Sequence, residues 1–175
     1  YLNNYFCIND SALHSSAKEI YYFLISFIKK FSFSQVFTLN YEGGHPDHDA
    51  LALLVNKFCR NYSFKQFFFP AYNSRKSFGV PLSVFKPLKK QEPYFSYIKI
   101  GFFCWKETFF MSFIYRSEWK AFIKLLPFIL INFIFSNKVY FSNIIEIESV
   151  IWKRSLSHRV YRANHEAIVN SIEKI

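Results

Sequence analysis

The chain has 175 residues, of which 51% are hydrophobic and 19% charged, which excludes a disordered polypeptide and suffices for one domain with a buried core. The formal net charge of +10 permits an anionic partner, but the basic residues occur as scattered pairs, which argues against nucleic-acid binding. The three cysteines, Cys7, Cys59 and Cys104, are too far apart for a Cys-x-x-Cys zinc site. We therefore expect three buried thiols in a reducing, cytoplasmic compartment.

Hydrophobic periodicity predicts alternating helices and strands in the first half of the chain. We expect a helix over 11–31, a buried strand over 34–39, a helix from 47 or 48 to about 60, and a strand over 66–69. This order is typical of an α/β unit with parallel strands. The loop over 41–47 would then follow the carboxyl end of a strand, where open α/β sheets bind their ligands.

The second half of the chain carries weaker patterns. Prolines and lysines over 75–93 predict a long surface connection, and the alternation over 94–100 predicts a strand. Further helices are expected over 105–115, 118–135 and 157–174. The uncharged run 125–137 has 13 residues, fewer than the about 20 that a membrane span needs. A core helix, or a helix docked at a membrane interface, is therefore the better interpretation.

The stretch from Tyr41 to Ala50, Tyr-Glu-Gly-Gly-His-Pro-Asp-His-Asp-Ala, is the densest cluster of side chains that could carry chemistry. Two histidines three residues apart at the start of a helix can point into one pocket, and imidazole nitrogen binds zinc well. A carboxylate between them can orient one ring by accepting its N–H. Gly43 and Gly44 allow a sharp turn. Spacing alone leaves a second interpretation open, a solvated helix cap with Asp47 as the N-cap and both histidines exposed.

The full stretch resembles the corresponding motif of the LmbE-like, or PIG-L-like, N-acetylglucosaminyl deacetylase family. The flanking segments are also similar to that family, over residues 10–119 in all. They are Ser11-Ala12-Leu13-His14 before the first helix, Phe68-Phe69-Pro70-Ala71-Tyr72 on the second strand, and the run from Lys106 to Tyr115-Arg116-Ser117-Glu118-Trp119. One departure is Glu118, which stands where the family usually has Gln.

This resemblance implies an α/β fold, a partial Rossmann-like sheet flanked by helices, with a helical carboxyl-terminal extension. Residues 1–119 would be a truncated deacetylase domain, and 120–175 the extension of that same domain. The implied reaction is zinc-dependent hydrolysis of an acetamido group on a small-molecule or lipid-linked N-acetylglucosamine conjugate. His48 would bind Zn²⁺. His45 would act catalytically, by stabilising the oxyanion or protonating the departing amine, and Asp47 would orient and charge-tune His45.

The family's other metal ligands and its general base lie in an Ala-His-Pro-Asp-Asp-Glu segment, and no such run occurs in this sequence. The chain starts at Tyr1 and its only methionine is Met111, so we expect a fragment or processed product that is inactive alone. Without the strand and helix of that segment, the sheet would expose an apolar face and an unpaired edge.

Four other side chains are the nearest candidates for substitute ligands: Asp10, His14, Glu42 and Asp49. We do not expect them to complete the site, because the predicted helix and strand geometry does not bring them together. A second function class therefore stays open, a non-catalytic or decayed module that binds a glycan or an acidic surface. In either case the sequence predicts a cytoplasmic protein with peripheral contact to a membrane.

Overall fold

The computed structural model describes residues 12–43, 45–73, 83–101, 106, 119–143 and 167–175. These ranges contain both helices and strands, which confirms the predicted mixed α/β character. The chain divides into two compact units, one formed by Tyr1–Phe69 with Ser142–Ile175 and the other by Pro70–Phe141.

The first unit contains the elements that flank the histidine motif. A short 3-10 helix, Leu13–Ser16, runs into α1, Ala17–Lys30. It is followed by β1 (Gln35–Leu39), α2 (Pro46–Tyr62) and β2 (Lys65–Phe69). The 3-10 helix and α1 together cover 13–30. This helical segment and the three elements after it each begin and end within two residues of the predicted bounds, so the predictions for 11–31, 34–39, 47–60 and 66–69 are confirmed. Residues 167–173 form the carboxyl-terminal helix.

The two strands of this unit pair in parallel, with Phe37 beside Phe67, as the order of elements predicts. Alternation buries Thr38 and Phe68 on the face that α2 covers. Phe37 points the other way and is 65% exposed, with its ring stacked on Phe67 at 5.0 Å. Parallel sheets are normally covered on both faces, whereas Phe37 leaves apolar surface exposed on the second face of this sheet in the described part of the chain.

The core of the first unit holds α2 in place. Leu54 and Phe58 of α2 are fully buried, Phe58 meets Tyr21 of α1 edge-on at 6.0 Å, and Ile168 of the carboxyl-terminal helix joins the same cluster. Burying a side chain of this size contributes about 1.5–3 kcal/mol. The Lys57 ammonium donates to the carbonyls of Ile172 and Glu173 at 2.8 and 3.2 Å, which satisfies the end of that helix.

The described part of the second unit contains two small antiparallel sheets and one long helix. β3 (Tyr72–Asn73) pairs with β4 (Ser83–Val84), and β5 (Ser96–Lys99) pairs with β6 (Lys138–Phe141). α3 spans Trp119–Phe135. The predicted strand over 94–100 and helix over 118–135 are confirmed, whereas β6 was not predicted.

The prediction of a surface connection over 75–93 is wrong for part of its described residues. Val84, Pro87 and Gln91 are all buried, and Val84 packs with Ile129 of α3. The reason is that a short strand there contributes to the core of the second unit, which composition alone does not indicate.

Three predictions fall wholly or largely outside the described residues. They are the helix over 105–115 except for Lys106, the part of the 157–174 helix before residue 167, and the burial of Cys7 and Cys104. Cys59 is described, and it is a buried free thiol as predicted. No helix in the described ranges is long and apolar enough to cross a membrane.

Candidate functional site

The loop after β1 leads directly into the histidine motif. Asn40 extends the pairing of β1 with β2 by donating its N–H to the Phe69 carbonyl at 2.8 Å. Tyr41 and Glu42 follow and are buried, at 0% and 2% exposure. Gly43 then turns the chain with φ of 66°, a backbone region that glycine adopts without strain. The loop therefore leaves the carboxyl end of a parallel strand and reverses toward the start of α2.

Asp49 fixes the shape of this loop from inside the helix. Its side chain is fully buried, and one carboxylate oxygen accepts the N–H groups of Glu42 at 2.8 Å and Gly43 at 3.1 Å. Charge-assisted hydrogen bonds of this kind are stronger than neutral ones. From its sequence position, Asp49 was a candidate only for a substitute metal ligand. Only one feature of the sequence indicates its role as a loop anchor, namely a carboxylate in the first turn of a helix that follows a Gly-Gly loop.

His45 is the N-cap of α2. Its backbone is extended, Pro46 occupies the first helical position, and the Nδ1 atom of its ring accepts the N–H of Asp47 at 3.3 Å. The alternative in which Asp47 caps the helix is therefore wrong. That alternative also required both histidines to be exposed, whereas His45 and His48 are each half-buried.

The structure brings the two histidines of the motif together. The ring centroids of His45 and His48 are 4.9 Å apart, with an angle of 36° between the ring planes. Helical geometry accounts for this, because residues three apart lie on neighbouring positions of one helix face. Both rings sit at the positive end of the α2 dipole, an environment that favours negative charge on a bound group.

The side chain of Asp47 connects the histidine motif to the 3-10 helix, Leu13–Ser16. One oxygen of its carboxylate accepts the N–H of Leu13 at 2.9 Å. The next residue, His14, has a buried Nδ1 atom with no hydrogen-bond partner in the described part of the chain. Of the other substitute ligands, Asp10 lies outside the described residues, and Glu42 is buried in the loop.

The described side chains of the motif include nitrogen atoms of the kind that bind zinc. Two neighbouring imidazoles offer the donor atoms that zinc prefers. Within the described ranges, however, no group of three or more His, Cys, Asp or Glu side chains could hold a metal ion. A catalytic zinc needs about three protein ligands. The described residues therefore do not form a complete zinc site.

Comparison of this chain with family models, with curated proteins and with solved structures finds no match.

Proposed function

We propose that this chain is the carboxyl-terminal part of a zinc-dependent de-N-acetylase that acts on N-acetylglucosamine-type conjugates. The observation that carries the proposal is the pairing of the His45 and His48 imidazoles, 4.9 Å apart, at the start of α2. They lie beyond the carboxyl end of β1, where α/β sheets bind their ligands. The substrate class rests on the resemblance of the stretch from Tyr41 to Ala50 to the motif of LmbE-like N-acetylglucosaminyl deacetylases. Under this proposal, β1, α2 and β2 are one parallel unit of a larger Rossmann-like sheet.

The contacts of His45 favour the role of hydrogen-bond donor. Because its Nδ1 accepts a hydrogen bond from the Asp47 backbone, the neutral ring carries its proton on Nε2. A ring in that tautomer can donate from Nε2 to a developing oxyanion, or pass the proton to a departing amine. A donor of this type typically contributes about 10²–10³ in rate.

His48 is the residue that we assign to the metal. It lies one helical turn after His45 on the same face, so a ligand held by one ring is close to the other. Zinc, when bound, would lower the pKa of its water to ~7 and polarise the amide carbonyl. The other two ligands and the general base would come from a segment of the polypeptide outside this chain.

A catalytic assay tests this assignment on two proteins. The chain alone and the product of the complete reading frame are supplied with zinc, and free amine released from N-acetylglucosamine conjugates is measured. We expect turnover only from the complete product, and its loss in His48→Ala. A complete product that carries the His-Pro-Asp-Asp segment and yet hydrolyses no N-acetyl sugar would exclude the proposal.

Zinc titration of the chain gives an independent measurement. We expect weak binding by calorimetry, reduced at least about tenfold by His48→Ala. His14→Ala is the matched control, because His14 lies near the motif through its neighbour Leu13 but is not assigned to the metal. If His48→Ala and His14→Ala lose zinc affinity to the same extent, the assignment of the metal to His48 and not to His14 is wrong.

The competing function, acidic-surface binding without catalysis, is favoured by one observation. Residues 70–141 contain eleven Lys and Arg but only three Asp and Glu, which gives a net charge of +8 out of the +10 of the whole chain. If the reading frame upstream of Tyr1 encodes no metal-binding segment, this function replaces the enzyme.

A further inference from the structure

α3 carries an apolar stripe on its exposed side. Ile123, Leu130 and Ile134 are 48%, 43% and 68% exposed, and Pro127 between them is exposed as well. At 100° per residue, these four positions fall within an arc of about 60° on the helix. A single exposed apolar residue needs no explanation, but a continuous stripe on one helix face marks an interaction surface.

Among the described residues, the core of the second unit does not use this stripe. The opposite side of α3 packs through Leu125, Phe128 and Ile129, which meet Val84 of β4 and Ile100. Asn132 on that side is 3% exposed. A helix that only served the core would have polar residues on its outer face. The exposed face of α3 is instead apolar, although the core contacts of the helix are made by its other face.

The same unit carries most of the positive charge of the chain, the net +8 of residues 70–141. Among the lysines whose burial the structure describes, five in this unit are exposed: Lys89, Lys90, Lys99, Lys106 and Lys124. Lys124 directly follows the first residue of the stripe. The register of β5 and β6 places Lys99 opposite Lys138, whose ammonium lies over the Tyr97 ring, 3.8 Å from its centroid.

The apolar stripe of α3 and the positive charge of the same unit together indicate one type of partner. We propose that α3 lies in the plane of an anionic lipid surface, with Ile123, Pro127, Leu130 and Ile134 at the acyl boundary and the lysines at the phosphates. Apolar residues on one face with nearby cations are typical of helices that bind anionic membranes peripherally. Tyr94 and Tyr97 of the same unit are about half exposed, and tyrosine is favoured at the headgroup level. This inference does not depend on the deacetylase assignment.

The length of α3 is consistent with an in-plane position. Seventeen residues at 1.5 Å each give about 25 Å, which is less than the ~30 Å hydrocarbon core of a bilayer. Lys124 would also have to enter that core in a spanning arrangement. A peripheral arrangement leaves its ammonium in water.

Vesicle co-sedimentation of the full chain tests the inference. The vesicles contain phosphatidylcholine alone or phosphatidylcholine with 30% phosphatidylglycerol, at low and high salt. We expect binding to the anionic vesicles, weakened severalfold by high salt because screening reduces the electrostatic attraction. Ile134→Asp and Leu130→Asp should each weaken it at least about tenfold.

The matched control is Phe37→Asp, which places the same charge at an equally exposed apolar residue in the other unit, 65% against 68% exposed. It should change vesicle binding by less than about twofold. Ile134→Ser and Leu130→Ser remove apolar surface without adding charge, and should also weaken binding. Circular dichroism confirms that each variant is folded.

Three results would overturn the proposal. One is a larger loss of binding in Phe37→Asp than in Ile134→Asp, which would assign the lipid contact to the sheet face. Another is equal binding to neutral and anionic vesicles. The third is self-association in lipid-free analytical ultracentrifugation that Ile134→Ser abolishes, with no vesicle binding, which would identify a second copy of the chain as the partner.

Discussion

The carboxylate of Asp49 lies 2.8 Å from the backbone nitrogen of Glu42, seven residues earlier in the chain. This contact joins the first turn of α2 to the loop that leaves β1. Because His45 lies between the two residues, the same contact restrains the N-cap and the position of its ring. The geometry of the histidine pair therefore depends on a buried residue that is not itself part of the pair.

Replacing Asp49 should destabilise the protein more than replacing Asp47. Asp49→Ala leaves the N–H groups of Glu42 and Gly43 without their buried acceptor, and we expect the free energy of unfolding to fall by about 3 kcal/mol. Asp47→Ala removes an acceptor from one N–H at a half-buried position, with an expected loss of about 1 kcal/mol. Urea denaturation followed by circular dichroism measures both. Equal losses would show that the loop does not depend on Asp49.

The two histidines should differ in their effect on bound metal. In the complete product, we expect His48→Ala to lose zinc, whereas His45→Ala keeps zinc and loses about 10²–10³ in kcat. Asp47→Asn should also keep zinc and lose rate, because it changes the environment of His45 and removes no ligand. Elemental analysis after gel filtration measures the zinc content. Equal zinc in wild type and His48→Ala would contradict the assignment.

Local sequence patterns predicted the elements around this site well. The 3.6-residue period of apolar side chains identified α1, α2 and α3, and the apolar runs identified β1 and β2, because burial of one face imposes those periods directly. The cluster of His45 and His48 was also visible, since three-residue spacing on a helix brings two side chains together.

Long-range contacts account for what the sequence did not predict. β6 pairs with β5 across about 40 residues, and nothing within its four residues specifies that partner. Gln91 follows two lysines and resembles a surface residue, yet it is fully buried. The backward contact of Asp49 with the loop is another such case, because an aspartate in a first helical turn is typical of any capped helix.

Cys59 should be unreactive in the folded protein. Its side chain is buried, and burial disfavours the thiolate and raises the pKa of the thiol from 9.0 to about 11. At pH 8 the thiolate fraction is then about 100-fold smaller than in the unfolded chain. We expect iodoacetamide to modify Cys59 at least about 100-fold more slowly in buffer than in 6 M guanidinium, as measured by mass spectrometry. Comparable rates would indicate that the thiol is accessible.

The same shift predicts a dependence of stability on pH. The folded pKa lies above the unfolded one, so this contribution is complete below pH 9 and decreases between about pH 9 and 11, where only the unfolded thiol loses its proton. In Cys59→Ala this part of the alkaline loss should disappear, although the smaller side chain lowers stability at every pH. Thermal unfolding across pH 8–11 compares the two proteins. If the stability of the two proteins falls in parallel between pH 9 and 11, the raised pKa of Cys59 is contradicted.

Asn132 should be a site at which an apolar replacement stabilises the second unit. It is 3% exposed, and neither its amide nitrogen nor its amide oxygen has a hydrogen-bond partner in the described ranges. A buried polar group without a partner costs about 1–3 kcal/mol, and leucine has the same number and branching of side-chain heavy atoms as asparagine. We therefore expect Asn132→Leu to raise the free energy of unfolding by about 1–2 kcal/mol, measured by urea denaturation. The control is Asn56→Leu, since Asn56 is also buried, at 8% exposure, but accepts a 2.8 Å hydrogen bond from Gln66. That variant should lower stability, because it leaves the Gln66 amide unpaired in a partly buried position. If both variants lose stability to the same extent, Asn132 has a partner in the folded protein and its amide contributes to the packing of α3.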